Sequence, residues 1–204
     1  MIRVAALYCD PQGPYPNMPD VETWALPYRD ARKYMGRYPV VAHPPCGPWS
    51  RLSHLSRRDP ADAAVHAVWQ VHCYGGILEH PHGSRLFDYC QLPKPGAPED
   101  QFGGYTIEVC QCDWGHVARK RTWLYLCRVR RELIKLPVSR EPTHWASGGR
   151  TPSTRKGSPV PPGIKVCSAQ QRRRTPPEFA RWLVDLAANA RNIIENEKGE
   201  SGDG

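Results

Sequence analysis

Three short apolar runs in this chain each stop at a cluster of proline, glycine and polar residues, and this restricts the fold more than any other feature of the sequence. IRVAALYC (residues 2–9) runs into Asp10-Pro11-Gln12-Gly13-Pro14. YPVVAH (residues 38–43) runs into Pro44-Pro45-Cys46, and GGILEHP (residues 75–81) closes on Glu79-His80-Pro81. Short apolar segments bounded by turn formers predict strands. Between the second and third, Asp59-Pro60-Ala61 predicts a helix start, with aspartate as N-cap and proline in the first turn. The helix should run from Ala61 to Tyr74, with Ala64, Val65, Val68, Trp69 and His72 on one face, and end at Gly75-Gly76. Residues 28–35 (YRDARKYM) also have helical composition. Strand, helix, strand, helix, strand predicts a mostly parallel α/β sheet. In such sheets the chemistry gathers beyond the carboxyl ends of the strands. Asp10, Cys46 and Glu79 fall at three such ends, so one sheet edge could present all three.

Further along, residues 91–104 are rich in proline and glycine and predict a loop. YTIEVCQC and RTWLYLCRV predict two more strands, joined by DWGHVARK. From Ser139 to Arg174 there is almost no periodic pattern, which predicts an irregular arm that orders poorly by itself. Thr175-Pro176-Pro177-Glu178 reads as a capping box opening a last helix, FARWLVDLAANARNII. Residues 1–138 are thus expected to form the core, 139–174 the arm, 175–194 a helix packed on the core, and 195–204 a disordered tail.

The charge is concentrated. Residues 140–174 hold eight Lys or Arg and one acid, Glu141, so they carry +7 of the formal net charge of +8. A basic segment of this kind points to a polyanion such as DNA. Arg51, Arg150, Arg155, Lys156, Lys165, Arg172, Arg173 and Arg174 are the candidate phosphate contacts. No apolar run is long enough for a membrane span, and the start MIRVAALYCDPQG lacks a signal peptide's apolar core and cleavage site. A soluble, cytoplasmic protein with no membrane partner is expected. The eight cysteines then read as thiols. Cys110 and Cys112 alternate along a strand and no CxxC pair occurs, so no metal ligand set is assigned, although a structural zinc stays open as an alternative.

HPPCGPWS, residues 43–50, resembles the nucleophile motif of the cytosine-C5 DNA methyltransferases, a proline-proline-cysteine turn. Cys46 matches the nucleophile. The chemistry asks for a thiolate that adds to C6 of the base and makes C5 electron-rich. Three more segments follow in the family's order. LEHP, residues 78–81, is similar to the family's Glu-Asn motif, which implies that Glu79, protonated or sharing a proton, holds the N3 and amino edge of a flipped base. His80 stands where the family has asparagine. DWGHVARKRTWLYL, residues 113–126, is similar to the stretch that supplies cations to the base or its phosphates, with Lys120 in the place of the first arginine, Thr122 in that of the second, and Arg119, Lys120 and Arg121 as the cations that could polarise the base or grip phosphate. The segment RTPPEFARWLVDLA looks like the family's last helix.

The resemblance implies a truncated Rossmann-like methyltransferase sheet of about five strands, mostly parallel, with helices on both faces. It also implies DNA as substrate and S-adenosylmethionine as methyl donor, and suits a phage or other mobile element whose protein works in the host cytoplasm. Two departures leave the donor open. Cys9 to Tyr15 replaces the family's glycine-rich cofactor loop. Only about thirty residues, roughly one crossover unit, separate the first strand from the Cys46 strand, so the family's strands two and three are expected to be missing. Asp10, Gly13 and Tyr15 are the positions left to meet a cofactor. Asp10 could grip a ligand amine or hydroxyl, or could simply cap its own turn. The readings that stand are a methyltransferase, a base-modifying enzyme with another donor or with a partner protein completing the cofactor site, and a non-catalytic DNA-binding relic.

Overall fold

The apolar runs form strands of one six-stranded sheet in the computed structural model, which describes residues 1–50, 61–145, 163 and 165–190. The strands are β1 (Val4–Leu7), β2 (Val21–Trp24), β3 (Val40–Ala42), β4 (Gly76–Pro81), β5 (Gly104–Cys110) and β6 (Arg121–Cys127), in the order β2-β1-β3-β4-β6-β5. β2, β1, β3 and β4 are mutually parallel, while β6 runs antiparallel to both β4 and β5. The sheet is therefore mixed, with a single reversed strand.

The pleat divides the core in two. Val4, Ala6, Val41, Ile77, Leu124 and Leu126 pack on one face with Phe179, Ala180, Leu183 and Val184 of helix α4 (Pro177–Ala187). Ala5, Leu7, Val40, Ala42, Leu78 and Tyr125 pack on the other with Ala64, Ala67, Val68 and Val71 of helix α1 (Ala61–Tyr74). Successive strand residues point to opposite faces, which is why strands this short are apolar at nearly every position. A short helix, α2 (Leu86–Tyr89), follows β4.

Several expectations are corrected. The sheet has six strands rather than about five, because β2 lies parallel to β1 where a strand was expected to be missing. β2 is a four-residue edge strand, VETW, whose Glu22 and Thr23 give it no continuous apolar run. Residues 28–35 form no α-helix. Only Ala31–Lys33 make a 3-10 turn, because the Asp30 side chain accepts a hydrogen bond from Arg32 N and both flanking residues are extended. Tyr34 is thereby turned into the core, fully buried. Helix α1 buries Ala63, Ala67, Gln70 and Tyr74 beside Ala64 and Val68, whereas Trp69 is 47 % exposed, so the buried face is rotated from the expected one. Its proposed start at Asp59-Pro60 lies outside the described residues.

The C-terminal region differs too. α4 is preceded by Pro176 with no side-chain cap. The capping box sits instead at Ser168 and Gln171, on the short helix α3 (Ala169–Arg173). The arm is not irregular at its two ends: β7 (His144–Trp145) pairs in parallel with β8 (Lys165–Val166), and Cys167 is buried. His116 Nε2 meets the Gln171 carbonyl at 3.1 Å, and His144 bridges to Ala118, so both ends of the arm rest on the turn between β5 and β6. Residues 146–162 and the tail 195–204 lie outside the described residues. Among the described residues no helix is long and apolar enough to cross a membrane.

Candidate active site

β1 is flanked by β2 on one side and β3 on the other, so the chain changes direction between β1 and β3. The carboxyl ends at such a switch point form a crevice where α/β sheets commonly bind ligands. Here the crevice holds protein side chains. Tyr15, on the loop after β1, is 1 % exposed, and its hydroxyl lies 2.6 Å from His43 Nε2. His43 follows β3 directly, and the register that pairs Ala42 with Leu78 sets it beside Glu79. His43 Nδ1 lies 3.0 Å from Glu79 Oε2. Gln111, just past β5, donates from Nε2 to Glu79 Oε1 at 2.9 Å and to Thr122 Oγ1 at 3.0 Å. Tyr15, His43, Glu79, Gln111 and Thr122 thus form one connected polar chain across the strand ends.

Electrostatics fix the direction of the bonds to Glu79. Burial disfavours the Glu79 carboxylate, but the His43 hydrogen bond and the charge of Lys120 outweigh it and hold the group at about pH 2 for half-protonation. Burial, with the Glu79 charge beside it, keeps the Tyr15 phenol protonated. His43 Nδ1–H therefore donates to Glu79, and the Tyr15 hydroxyl shares a hydrogen bond with His43 Nε2. Glu79 accepts from His43 and Gln111 as a carboxylate and shares the His43 Nδ1 proton.

Cys46 lies four residues past the end of β3 and is exposed. It caps a 3-10 turn, Gly47–Trp49. The turn is tied down by Arg85, whose Nη2 donates to the Pro48 carbonyl at 3.1 Å and whose backbone N–H donates to the Trp49 carbonyl at 3.1 Å. The Trp49 ring packs on Tyr89 of α2 at 5.1 Å between centroids. Cys46 opens onto a cleft of about 260 Å³ lined by Ser50, His80, Pro81, His82, Gly83 and Ser84.

Glu79 does not line this cleft; its neighbour His80 does. Adjacent strand residues face opposite ways, and Ile77 and Leu78 already divide between the α4 and α1 faces, so Glu79 and His80 divide likewise. His80 is fully buried. Neither ring nitrogen has a hydrogen-bond partner among the described residues. Burial pushes its pKa down to about 4, against the pull of the Glu79 charge and of the Pro45 carbonyl, which favour the protonated ring. The imidazole is neutral at pH 7.

Of the other expected site residues, Lys120 acts on Glu79 through its charge and donates to the Arg174 carbonyl at 3.3 Å. Arg119 is turned out to Glu141, 3.2 Å away. Lys165, Arg172, Arg173 and Arg174 lie on β8, on α3 and at its C-cap. Arg51, Arg150, Arg155 and Lys156 lie outside the described residues. No cluster of three or more potential metal ligands occurs among the described residues.

The residues expected to meet a cofactor do not form a cradle for S-adenosylmethionine. Tyr15 is committed to His43. Asp10 accepts from Gln12 N at 2.9 Å through Oδ1, and its carbonyl accepts from Gly13 N at 2.9 Å, so it caps its own turn. A cavity of about 400 Å³ beside this loop is lined by Pro11, Pro16, Thr23, Ala25, Tyr28 and Arg29, and Arg29 is already paired with Glu22 at 2.7 Å. That lining offers no carboxylate to a ribose or an amine. Asp10→Asn, which keeps the Oδ1 acceptor, is expected to leave stability within about 0.5 kcal/mol, and Asp10→Ala to cost about 1 kcal/mol. Urea denaturation checks this, and an equal loss in both variants would show that the charge holds the residue in place.

Sequence reasoning quoted His43 without assigning it and missed Gln111. His43 was within reach, since it precedes the proline-proline-cysteine turn by one strand-end position. Gln111 had no signal, because its role depends on β5 lying beside β6. Compared with protein-family models, curated proteins and solved structures, the chain matches none. The fold and the site together define an α/β protein with a mixed six-stranded sheet and a cysteine-bearing cleft at the strand ends.

Proposed function

We propose that this protein modifies a pyrimidine base of DNA at C5, through addition of Cys46 to C6 of a base turned out of the strand. The observation that carries the reading is the Pro44-Pro45-Cys46 turn, which presents an exposed thiol at the carboxyl end of β3 over a cleft of about one base's size. At about 260 Å³ the cleft is smaller than the roughly 300–1,000 Å³ of drug-sized ligand sites, which suits a single base. The collinear motifs resembling the cytosine-C5 DNA methyltransferases, and the switch-point topology expected of a Rossmann-like sheet, support the same reading. The basic excess of residues 140–174 favours a polyanionic partner. In this mechanism the thiolate forms a bond to C6, the C5–C6 π pair moves to C5, and C5 takes up an electrophile. Loss of the C5 proton then expels the thiolate.

The donor is a separate matter. Because Tyr15 fills the switch-point crevice, the reading carries no step through S-adenosylmethionine and favours another alkyl donor, or a partner chain that completes the donor site. The test therefore avoids the donor. In D2O, the full chain is expected to exchange the C5 hydrogen of deoxycytidine in DNA for deuterium, and Cys46→Ala to bring that rate to background. Mass spectrometry of the nucleosides reads the exchange. A parent protein that exchanges no pyrimidine hydrogen would sink the reading and leave non-catalytic DNA binding.

A further inference from the structure

We infer that Cys110 and Cys112 form a redox-active dithiol, in which Cys110 attacks a small-molecule disulfide and Cys112 then displaces it to close a disulfide between the two. The pair does not line the Cys46 cleft, and the inference stands apart from any role in DNA. Cys110 ends β5, and Gln111 opens the 3-10 turn Gln111–Trp114 that carries Cys112. The turn brings the two sulfurs to 3.0 Å, about 1 Å beyond the length of a disulfide bond. Backbone bonds hold it in that form: Gln111 N donates to the Lys120 carbonyl at 3.0 Å, and the Gln111 carbonyl accepts from His116 N at 3.1 Å. The Gln111 side chain is fixed as well, on Glu79 and Thr122. Two thiols held in contact by so well anchored a turn need little movement to bond.

Exposure divides the roles. Cys110 is half-buried and Cys112 buried, so an incoming disulfide reaches Cys110. Burial, with Cys110 and Asp113 beside it, pushes the Cys112 thiol well above the ordinary thiol range and keeps it protonated until its neighbour has reacted. The thiolate form of Cys110 bonds to one sulfur of the disulfide, and the other sulfur leaves as a thiolate. Cys112 then gives up its proton toward Asp113 Oδ1, 3.7 Å away, and its sulfur displaces the second thiolate from Cys110. Two thiols are oxidised to a disulfide and one disulfide is reduced to two thiols, so no other oxidant enters. Closure also removes the hydrogen that Cys112 offers the Arg140 carbonyl at 3.4 Å. Arg140 is where the basic arm joins the core, its N–H held by Asp113 Oδ1 at 3.0 Å, so the state of the pair is felt at the root of the arm. In a reducing compartment such a disulfide is transient, as in redox-responsive pairs.

The experiment incubates the reduced full chain with oxidised glutathione at mildly alkaline pH, quenches with acid, and caps the remaining thiols with N-ethylmaleimide in denaturant. Mass spectrometry of the peptides, with fragmentation, reads each cysteine. In the parent, Cys110 and Cys112 should become joined to each other, and less than about a tenth of Cys110 should carry glutathione, because a thiol in contact outcompetes one in solution. Dithiothreitol should return both thiols. Cys112→Ser should convert the product into a stable glutathione adduct on Cys110, and Cys110→Ser should slow the loss of the Cys112 thiol at least about tenfold. Cys112→Ala gives the same comparison should the serine variant not fold. A parent whose two thiols both stay capped by N-ethylmaleimide, or whose Cys110 keeps glutathione with Cys112 present, overturns the inference. So does a folded Cys112 variant that carries no adduct on Cys110, since Cys110 would then not be the attacking thiol.

Discussion

Gly76→Ala is expected to cost more than about 4 kcal/mol, most of the stability of an ordinary domain of this size. Gly76 opens β4 with φ +115°, a backbone conformation that L side chains rarely adopt. A Cβ there would overlap the Val40 carbonyl oxygen and lie 2.7 Å from Val40 N. Those are backbone atoms of β3, paired with Gly76 in the parallel ladder, and no side chain can swing away to relieve the overlap. The damage falls on the β3–β4 pairing that sets His43 beside Glu79. Gly83→Ala is the control: Gly83 has φ +71° but open space around its Cβ position, so the cost should be only the roughly 1–2 kcal/mol of left-handed backbone. Urea denaturation of the two variants separates the terms. A Gly76→Ala protein as stable as Gly83→Ala would mean that the β3–β4 register is not as described.

Glu79→Gln is expected to remove on the order of 3 kcal/mol of stability at pH 7, at roughly 1.4 kcal/mol per unit of pKa displacement. The carboxyl is depressed from 4.5 to about 2 in the folded chain. Its contribution is therefore present in full above about pH 4.5 and is lost as pH falls through 2. Parent and variant should differ most at pH 7 and converge near pH 2. Other depressed carboxylates, Asp20 held by Arg181 and Arg3 and Asp30 held by Arg32, remain in both proteins, so the difference between the two curves isolates Glu79. His43→Leu should be comparably harmful, because it leaves one carboxylate oxygen buried without its donor. Urea midpoints at pH 7, 4 and 2.5 give the comparison. Parallel curves for parent and Glu79→Gln would show that Glu79 is protonated in the folded protein.

The sequence by itself determined five of the sheet's six strands and where its chemical edge lies. Runs such as VAAL and GILEHP can satisfy their backbone and bury both faces only as interior strands. Their proline- and glycine-bounded ends mark where each strand stops, so the position of Cys46 beyond β3 could be read before any coordinates, while Glu79 lies two residues inside the end of β4. α1 was legible for a similar reason, being closed by Gly75-Gly76. Where two elements compete for a residue, composition was not enough. Tyr34 is drawn into the core against Trp24 and Tyr74, and that packing, with Asp30 bonding its own backbone, outweighs the helical preference of residues 28–35. The same applies to α1, whose buried face is set by the sheet beneath it and passes Trp69 by.

Only the tertiary structure decided what the site residues do. The pleat of β4 sends Glu79 and His80 to opposite sides, and the pairing of β5 with β6 brings Gln111 from 32 positions away onto Glu79. Whether a carboxylate is ionised depends on partners that meet it in space, and here His43 and Lys120 outweigh burial. A motif fixes which side chains are present at a strand end; the neighbouring strands fix which of them face the cleft, and in which protonation state.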